Sequence, residues 1–301
     1  MKAGFAIPQV FPDGPVDMGE VRRIAQRAEE LGFEDLWAQE QIVGRSNSLE
    51  PMSMLSYLAA ITDRIRLGTS VIVLPQREPV WLAKQVATLD QMSGGRVTLG
   101  VGLGGDANDA VFGVGEKRVR RFTEAIQVMS SLWSEESTTF DGMFFHLDGV
   151  SLQPKPVQQP RPPLWIGARV EAALRRAVRI GDGWMGQGSS STALFIENVG
   201  HVRRFLEEAG RDPATFAMSK RVYVAIDDDA DRAIERMTRW IEHHYGRPEM
   251  AREVAVWGPA ESVYEQLDEI AEGGADHLMM NPVFDHGEHL EALAEYVKSR
   301  S

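Results

Sequence analysis

The sequence contains no cysteine. Disulfide bonds, thiolate metal sites and a cysteine nucleophile are therefore excluded. Long apolar runs are also missing, because no stretch approaches the ~18 uncharged residues that a membrane span needs. The apolar segment within residues 1–10 is too short for a signal peptide. We therefore expect a soluble, cytoplasmic protein.

Basic residues are in the minority. The chain has 32 lysines and arginines against 44 carboxylates, a formal net charge of −12. The basic residues form no block, which argues against binding to nucleic acid or to an anionic membrane surface. We expect the partner to be a small organic molecule.

Histidine pairs raise the question of a metal site. His243 and His244 are adjacent, and His286 and His289 are expected on the exposed face of a terminal helix. Neither pair has clustered carboxylates at the end of a strand, as a metal site would need. We therefore expect no bound metal.

Short apolar segments alternate with helical patterns through all 301 residues. This order predicts parallel strands joined by helices, and eight such strands form an α/β fold of the (β/α)8 TIM-barrel type. We expect one domain over residues 1–301, with a hairpin and a proline-rich excursion at about 138–163. The predicted strands are residues 2–8, 35–38, 64–75, 94–105, 164–168, 183–185, 216–226 and 277–281. The predicted helices are residues 18–31, 51–61, 78–92, 117–133, 171–180, 192–209, 229–245, 259–273 and 290–297.

Two of these strands are the most informative. Residues 64–75 and 94–105 each have an arginine near the start and small residues towards the end. Ligands bind at the carboxyl ends of parallel strands, where small residues let the backbone approach them closely. Residues 100–105 also fit the pattern GxGxxG. A Rossmann dinucleotide site is disfavoured because the first glycine lies inside the strand and a loop of about ten residues precedes the next helix. The remaining interpretations are tight strand packing and, preferred here, a flat cofactor lying against bare backbone.

Polar residues follow several predicted strands. Glu40 and Gln41 come after the second strand, where a carboxylate can transfer a proton, orient a ring or simply lie on the rim. Asp106 and Asn108 follow the fourth strand and are typical loop-forming residues. After the sixth strand, residues 188–192 offer free N–H groups and hydroxyls for a phosphate, or ordinary helix capping. Arg169, after the fifth strand, could add a positive charge to that site or lie on the surface.

Several stretches resemble the bacterial luciferase-like monooxygenase superfamily, in family order over most of the chain. They are Leu67-Gly68-Thr69-Ser70-Val71, Pro79-Val80-Trp81-Leu82-Ala83-Lys84, Thr88-Leu89-Asp90, Ser93-Gly94-Gly95-Arg96, Leu99-Gly100-Val101-Gly102, Phe140-Asp141-Gly142, Pro162-Pro163-Leu164-Trp165-Ile166-Gly167 and Gly181-Asp182-Gly183-Trp184. Trp37 with Glu40 is a further match.

The resemblance implies a (β/α)8 barrel that uses coenzyme F420 for hydride transfer, or reduced FMN with oxygen. It implies a cis peptide bond between Ser70 and Val71, forming a bulge under the middle ring of the cofactor. It further implies a set of cofactor-binding residues: Glu40, Ser70, Val71, Leu103, Gly104, Asn108, Gly167, Ala168 and Arg169, to which we add Gly188 and Ser189 for the phosphate. A homodimer and a flavin or F420 reductase partner are expected on the same basis.

Two departures from the family pattern concern the chemistry. The sugar-phosphate dehydrogenases of the family carry an Asp-His pair where this chain has Glu40-Gln41, and a glutamate where it has Gly105. Both departures argue against glucose 6-phosphate as the substrate. The catalytic candidates are Glu40, Gln41 and Asp106. We favour F420 because of the Gly-Thr-Ser-Val strand and the compact length. The alternatives are an FMN-dependent monooxygenase and a non-catalytic cofactor-binding protein.

Overall fold

The computed structural model describes residues 1–12, 14–44, 46–105 and 108–300. Its centre is a closed barrel of eight parallel strands, which confirms the predicted fold. The strands are β1 Lys2–Ala6, β2 Asp35–Ala38, β3 Arg66–Thr69, β4 Val97–Gly102, β5 Leu164–Gly167, β6 Gly183–Gly186, β7 Ala217–Ile226 and β8 His277–Pro282. Each strand pairs with its sequence neighbours, and β8 closes the barrel on β1 with Lys2 opposite His277.

Helices connect the strands on the outside of the barrel. Their sequence signals are local: Asp17 accepts a hydrogen bond from the N–H of Glu20 at the start of the first helix, and Gly32 ends it in the left-handed conformation. The helices are α1 Met18–Leu31, α2 Pro51–Ile61, α3 Pro79–Ser93, α4 Arg118–Ser134, α5 Glu171–Ile180, α6 Thr192–Glu208, α7 Ala230–Tyr245, α8 Ala251–Val254, α9 Ala260–Glu272 and α10 His286–Ser299. None of those described helices is both long and apolar enough to cross a membrane.

The structure contains short strands in addition to the eight strands of the barrel. Thr138–Asp141 and His146–Val150 form the predicted antiparallel hairpin. Val10–Phe11 pairs with Asn47–Ser48 near the barrel mouth. Neither of these two strands was predicted, and nor was Ala255–Gly258, which pairs in parallel with the second half of β7 and extends the sheet beyond the closed barrel. Its four residues are too few to show a periodic pattern.

Several strand ends differ from the prediction: β1 stops at Ala6 and not at Pro8, and β4 spans Val97–Gly102 and not 94–105. Two further differences concern the third strand and the closing helix. Residues 64–75 do not form one continuous strand, because β3 stops at Thr69 and pairing with β4 resumes at Ile72–Val73. The closing helix begins at His286, four residues earlier than predicted. His289 therefore lies inside the helix and is buried, with its Nε2 accepting the N–H of Ile226, which makes the expected exposure wrong.

Aromatic rings fill the barrel interior. Trp37 on β2 stacks on Trp165 on β5 with ring centroids 5.2 Å apart. Beneath them, the buried Asp35 carboxylate lies 3.0 Å from the Nε2 of His277. Met185 and Met279 pack against the same cluster. These side chains fill the centre of the barrel, so ligands can bind only at the two ends of the barrel.

Candidate functional site

β3 contains a bulge at its carboxyl end. Gly68 pairs with Thr98, whereas Ile72 pairs with Val101, so four steps along β3 match three steps along β4. One extra residue is thereby inserted, which is the definition of a β-bulge. The peptide bond between Ser70 and Val71 in this bulge is cis, as the family resemblance predicts.

A threonine side chain replaces the backbone ladder where the bulge interrupts it. The hydroxyl of Thr69 donates to the carbonyl of Gly100 at 2.7 Å and accepts the N–H of Gly100 at 2.9 Å. A methyl group added at Gly100 would lie 1.9 Å from the carbonyl oxygen of Thr69. Only glycine can therefore occupy this position while β3 and β4 keep their spacing.

Glycines leave the backbone bare around Val71. A Cβ atom at Gly102 would lie 2.8 Å from one methyl group of Val71, and one at Gly167 would lie 3.4 Å from the other. Gly104 has a φ of +66°, and its Cβ would meet a methyl group of Val73 at 2.5 Å. The ends of β3, β4 and β5 thus meet with little side-chain bulk between them.

A cavity of about 510 Å³ lies at this end of the barrel. All predicted cofactor-binding residues except Glu40 and Asn108 line it: Ser70, Val71, Leu103, Gly104, Gly167, Ala168, Arg169, Gly188 and Ser189. Tyr245, Gln187 and Arg221 complete the wall on the side of β6 and β7. Residues that are far apart in the sequence are therefore brought to one place by the closure of the barrel.

The loop after β6 adds an anion-binding arrangement to this cavity. Gly188 and Ser189 line the cavity just before α6, whose first turn is capped by the hydroxyl of Ser191 accepting the N–H of Leu194. Arg169 lines the same cavity from β5. A helix N-terminus, free backbone and a guanidinium group together suit a phosphate. Bare backbone beside Val71 and this anion-binding end fit a ligand with a flat ring and a phosphate-bearing chain.

Glu40 has a different environment from the one expected. Its side chain is only 1% exposed and pairs with the guanidinium group of Arg77, whose Nε lies 2.7 Å from the carboxylate. Its other oxygen accepts the N–H of Val73, just beyond the bulge. Burial raises the pKa of Glu40 from its usual value, and the charge of Arg77 opposes that rise. Both carboxylate oxygens are therefore engaged in holding β3 and the segment that follows it.

The remaining site candidates lie outside the cavity lining or outside the described chain. Gln41 packs beneath Gly44, and its Oε1 is buried without a hydrogen-bond partner among the described residues. Asn108 begins a turn of 3₁₀-helix, where its carbonyl accepts the N–H of Val111. Asp106 is not among the residues that the structure describes. The cavity therefore unites most of the cofactor candidates, whereas the two catalytic candidates that the structure describes, Glu40 and Gln41, are not among its lining residues.

Three cations lie around the cavity that were not predicted from the sequence. Arg118 donates hydrogen bonds to the carbonyls of Leu103, Gly104 and Gly105, which line the cavity after β4. Lys220 and Arg221 are adjacent on β7, in an otherwise mostly apolar strand. Two consecutive charges in a buried strand were a visible signal, although it does not reveal where the side chains end.

Lys220 is almost completely buried below the loop after β6. Its ammonium group donates to the carbonyls of Gln187 and Ser190 at 2.6 and 2.7 Å, and to the hydroxyl of Ser190 at 2.9 Å. Burial, with a smaller contribution from Arg221, lowers the pKa of Lys220 to about 7. A positive charge that titrates near neutral pH thus lies directly under Gly188 and Ser189.

The described parts of the chain contain no group of three or more potential metal-ligating side chains. His243 instead hydrogen-bonds the hydroxyl of Ser46, and His286 pairs with Glu20. Both histidines therefore have structural partners.

Comparisons with known proteins extend these observations. The family model described as luciferase-like monooxygenase matches residues 1–277. An F420-dependent glucose-6-phosphate dehydrogenase from Microbacterium testaceum is 29% identical, with 90% of this chain and 81% of the relative covered. An FMNH2-dependent dimethylsulfone monooxygenase from Pseudomonas putida is 29% identical over 63% of this chain and 54% of its own. A solved F420-dependent secondary alcohol dehydrogenase, in complex with an F420-acetone adduct, superimposes with a TM-score of 0.87 at 21% identity, covering 99% and 98% of the two chains.

The relatives that are similar in sequence define the class of the chain as an oxidoreductase. The chain belongs to the luciferase-like monooxygenase family. This confirms the resemblance found in the sequence.

Proposed function

We propose that this chain transfers a hydride between coenzyme F420 and a small organic substrate at the barrel mouth. The observation that carries the proposal is the single cavity shared by the Ser70–Val71 bulge, the glycine-rich ends of β4 and β5, and the loop before α6. When bound, the deazaflavin ring supplies the carbon that accepts or donates the hydride. The protein then has to hold that ring against the substrate and exclude water.

The cavity residues divide into two proposed roles. Ser70 and Val71 support the ring from below, and Leu103 and Gly104 form the wall beside it. At the other end, Gly167, Ala168 and Arg169 from β5 and Gly188 and Ser189 before α6 bind the phosphate-bearing chain. This division follows the chemistry of the two ends, since bare backbone suits a flat ring and N–H groups with a guanidinium suit an anion.

Proton delivery remains a separate proposal. Both oxygens of Glu40 are already used by Arg77 and the N–H of Val73, which supports a positioning role for it. Holding Val73 keeps the bulge at a fixed distance from β2. Asp106 and the substrate itself stay as proton sources, and Gln41 stays a catalytic candidate that can act only through hydrogen bonds.

The relatives support F420 without identifying the substrate. F420-dependent dehydrogenases are similar to this chain both in sequence and in fold. The replacement of the Asp-His pair by Glu40-Gln41, and the glycine at position 105, argue against glucose 6-phosphate. We propose another small organic molecule in its place.

Cofactor titration tests the proposal directly. The purified chain is titrated with F420 and with FMN, and binding is followed by the absorbance and fluorescence of each cofactor. We expect saturable F420 binding that Ser70→Glu abolishes, because a larger charged side chain would occupy the platform. The exposed Ser137→Glu serves as the control and should bind F420 like the unmodified chain. Equal affinity of the Ser70 variant and the unmodified chain would refute the site assignment.

FMN is the second candidate cofactor. The similarity to an FMNH2-dependent monooxygenase favours it, and FMN also has a flat ring with a phosphate-bearing chain. This alternative requires a reductase partner that supplies reduced flavin. Substrate-dependent oxygen uptake with reduced FMN, together with no hydride transfer from reduced F420, would decide for it.

The assembly is proposed from the resemblance alone. We propose one domain over residues 1–301 and a homodimer in solution. Light scattering coupled to size-exclusion chromatography tests this, since a dimer has twice the 33.5 kDa of one chain.

A further inference from the structure

A second, smaller cavity adjoins the cofactor cavity deeper in the barrel mouth. Its volume is about 30 Å³, and it shares Ser70 and Arg221 with the larger one. Trp37, Trp240 and Met279 give it apolar walls, and Gln39 and Asn281 lie at its polar side. We call it the Arg221 pocket.

Arg221 has no anionic partner among the residues that the structure describes. Its Nη1 donates to the carbonyl of Ser70 at 3.2 Å, and its Nη2 donates to the Oε1 of Gln39. No carboxylate of the described residues pairs with it, and none lines either cavity. Among the described residues, the mouth is lined by Arg221 and Arg169 and by no acid, which is a marked local excess of positive charge in a chain with 44 carboxylates.

Two donors in the pocket lining lack acceptors. The Nε of Arg221 and the Nδ2 of Asn281 are buried and have no hydrogen-bond partner within the described ranges. Asn281 is only 6% exposed, so bulk water does not compensate for the missing partner. Buried donors without acceptors are unfavourable, and they gain most from an acceptor that brings a negative charge.

We propose that the Arg221 pocket binds a carboxylate group of the substrate, which makes the substrate of this enzyme an organic acid. The redox role of the bound acid rests on the proposed function, whereas the binding of the carboxylate does not. Ser70 lies in both linings, so an acid held here reaches the ring platform directly.

The size of the pocket favours a carboxylate over a phosphate. A volume of 30 Å³ accommodates about two water-sized groups, which matches the two oxygens of a planar carboxylate. A guanidinium group presents parallel N–H donors in the geometry that such a group accepts. The apolar walls from Trp37, Trp240 and Met279 suit the adjoining carbon chain of the acid.

Binding can be measured without any cofactor. Two tryptophans line the pocket, so its occupation should change the intrinsic fluorescence of the chain. The probes are acetate and acetamide, which have the same shape and differ in charge, and inorganic phosphate at the same ionic strength. We expect saturable binding of acetate in the millimolar range, at least tenfold weaker binding of acetamide, and weaker binding of phosphate than of acetate.

Variants assign the binding to the pocket. Arg221→Gln should abolish the acetate response, and Asn281→Ala should weaken it roughly fivefold by removing one donor. Arg169→Gln is the matched control, because this arginine lines only the larger cavity and should leave the acetate response unchanged. Circular dichroism of each variant checks that it is folded.

Failure of this proposal is distinguishable from failure of the proposed cofactor. Equal responses to acetate and acetamide, or an acetate response that survives Arg221→Gln but not Arg169→Gln, would overturn the carboxylate pocket even if F420 binds. Specific acetate binding with no F420 binding would support the pocket and refute F420 as the cofactor. Because Asn281 does not line the cofactor cavity, loss of F420 affinity in Asn281→Ala would also count against the separation of the two sites.

Discussion

The ammonium group of Lys220 lies 2.7 Å from the carbonyl oxygen of Ser190, below the loop that precedes α6. Lys220 occupies the protein side of this loop, while Gly188 and Ser189 line the cavity on the other side. The lysine thus fixes the loop and places a positive charge behind it, without touching a ligand in the cavity.

The first prediction concerns this charge. Lys220→Met should weaken binding of a phosphate-bearing cofactor about tenfold, or about 1.4 kcal/mol, through loss of the charge and of the loop contacts. Because burial lowers the pKa of Lys220 to about 7, the charge is present below that pH. Affinity should therefore fall as the pH rises through about 7, and this dependence should vanish in the variant. Fluorescence titration between pH 6 and pH 8.5 measures both effects. The exposed Lys298→Met is the control, and a pH dependence that persists without Lys220 would contradict the assignment.

The second prediction concerns Gly104. Alanine there has to adopt a φ of +66° and also collides with Val73. We expect a destabilisation of about 1–2 kcal/mol from the left-handed backbone, together with a strong loss of cofactor affinity as the wall moves. Urea unfolding and cofactor titration separate the two effects. Gly113→Ala is the matched control, because its φ is +64° but no described atom lies within 4 Å of the added carbon. That variant should lose stability and keep its affinity; if both variants keep it, the wall has no part in binding.

The third prediction concerns Thr69. Thr69→Val keeps the shape but removes both hydrogen bonds to Gly100, leaving a buried N–H and a buried carbonyl unpaired. The free energy of unfolding should fall by about 1–3 kcal/mol. Thr69→Ser retains the hydroxyl and should recover most of that loss in urea unfolding. Equal losses of stability in the valine and serine variants would contradict the role assigned to the hydroxyl of Thr69.

The fourth prediction concerns acid stability. His244 stacks on Trp240 with ring centroids 4.6 Å apart, and burial together with Arg221 lowers its pKa to about 4. The unfolded chain takes up this proton near pH 6.5, before the folded chain does, so stability should fall as the pH drops from about 6.5 to about 4. The loss should reach at most about 3 kcal/mol, since one pKa unit corresponds to about 1.4 kcal/mol. His244→Phe should flatten this part of the profile in denaturant titrations at each pH. His243→Gln removes a neighbouring exposed histidine as the control and should leave the slope intact.

Local signals in the sequence were enough for most of the fold. The cap at Asp17 and the terminating Gly32 define α1 to the residue, and the strand–helix alternation gives the barrel. The pairing of Glu40 with Arg77 was not predictable, because the two residues are 37 positions apart and meet only through the closure of β2 on β3. A carboxylate after a barrel strand indicates where the side chain starts and not which cation it meets.

The site residues were likewise predictable where their role depends on the local sequence, and not where it depends on the closure of the barrel. The small residues of β3, β4 and β5 identify a platform because their role depends on the backbone alone, and these residues do line one cavity. Lys220 and Arg221 escaped prediction because their long side chains run in different directions from adjacent positions. Which one reaches the loop and which one enters the mouth depends on the register of β7 in the closed barrel.

The contact between Gly100 and Thr69 has a consequence for the evolution of this enzyme. Side-chain growth at that junction is blocked by the backbone of the neighbouring strand, and comparable blocks exist at Gly102 and Gly104. Larger side chains at these three positions therefore clash with the neighbouring strand. New substrate preferences are more readily reached on the opposite half, around β7 and β8, where side chains rather than backbone form the wall. Libraries for altered specificity should accordingly vary residues of β7, β8 and the loops that follow them, and leave β3 and β4 untouched.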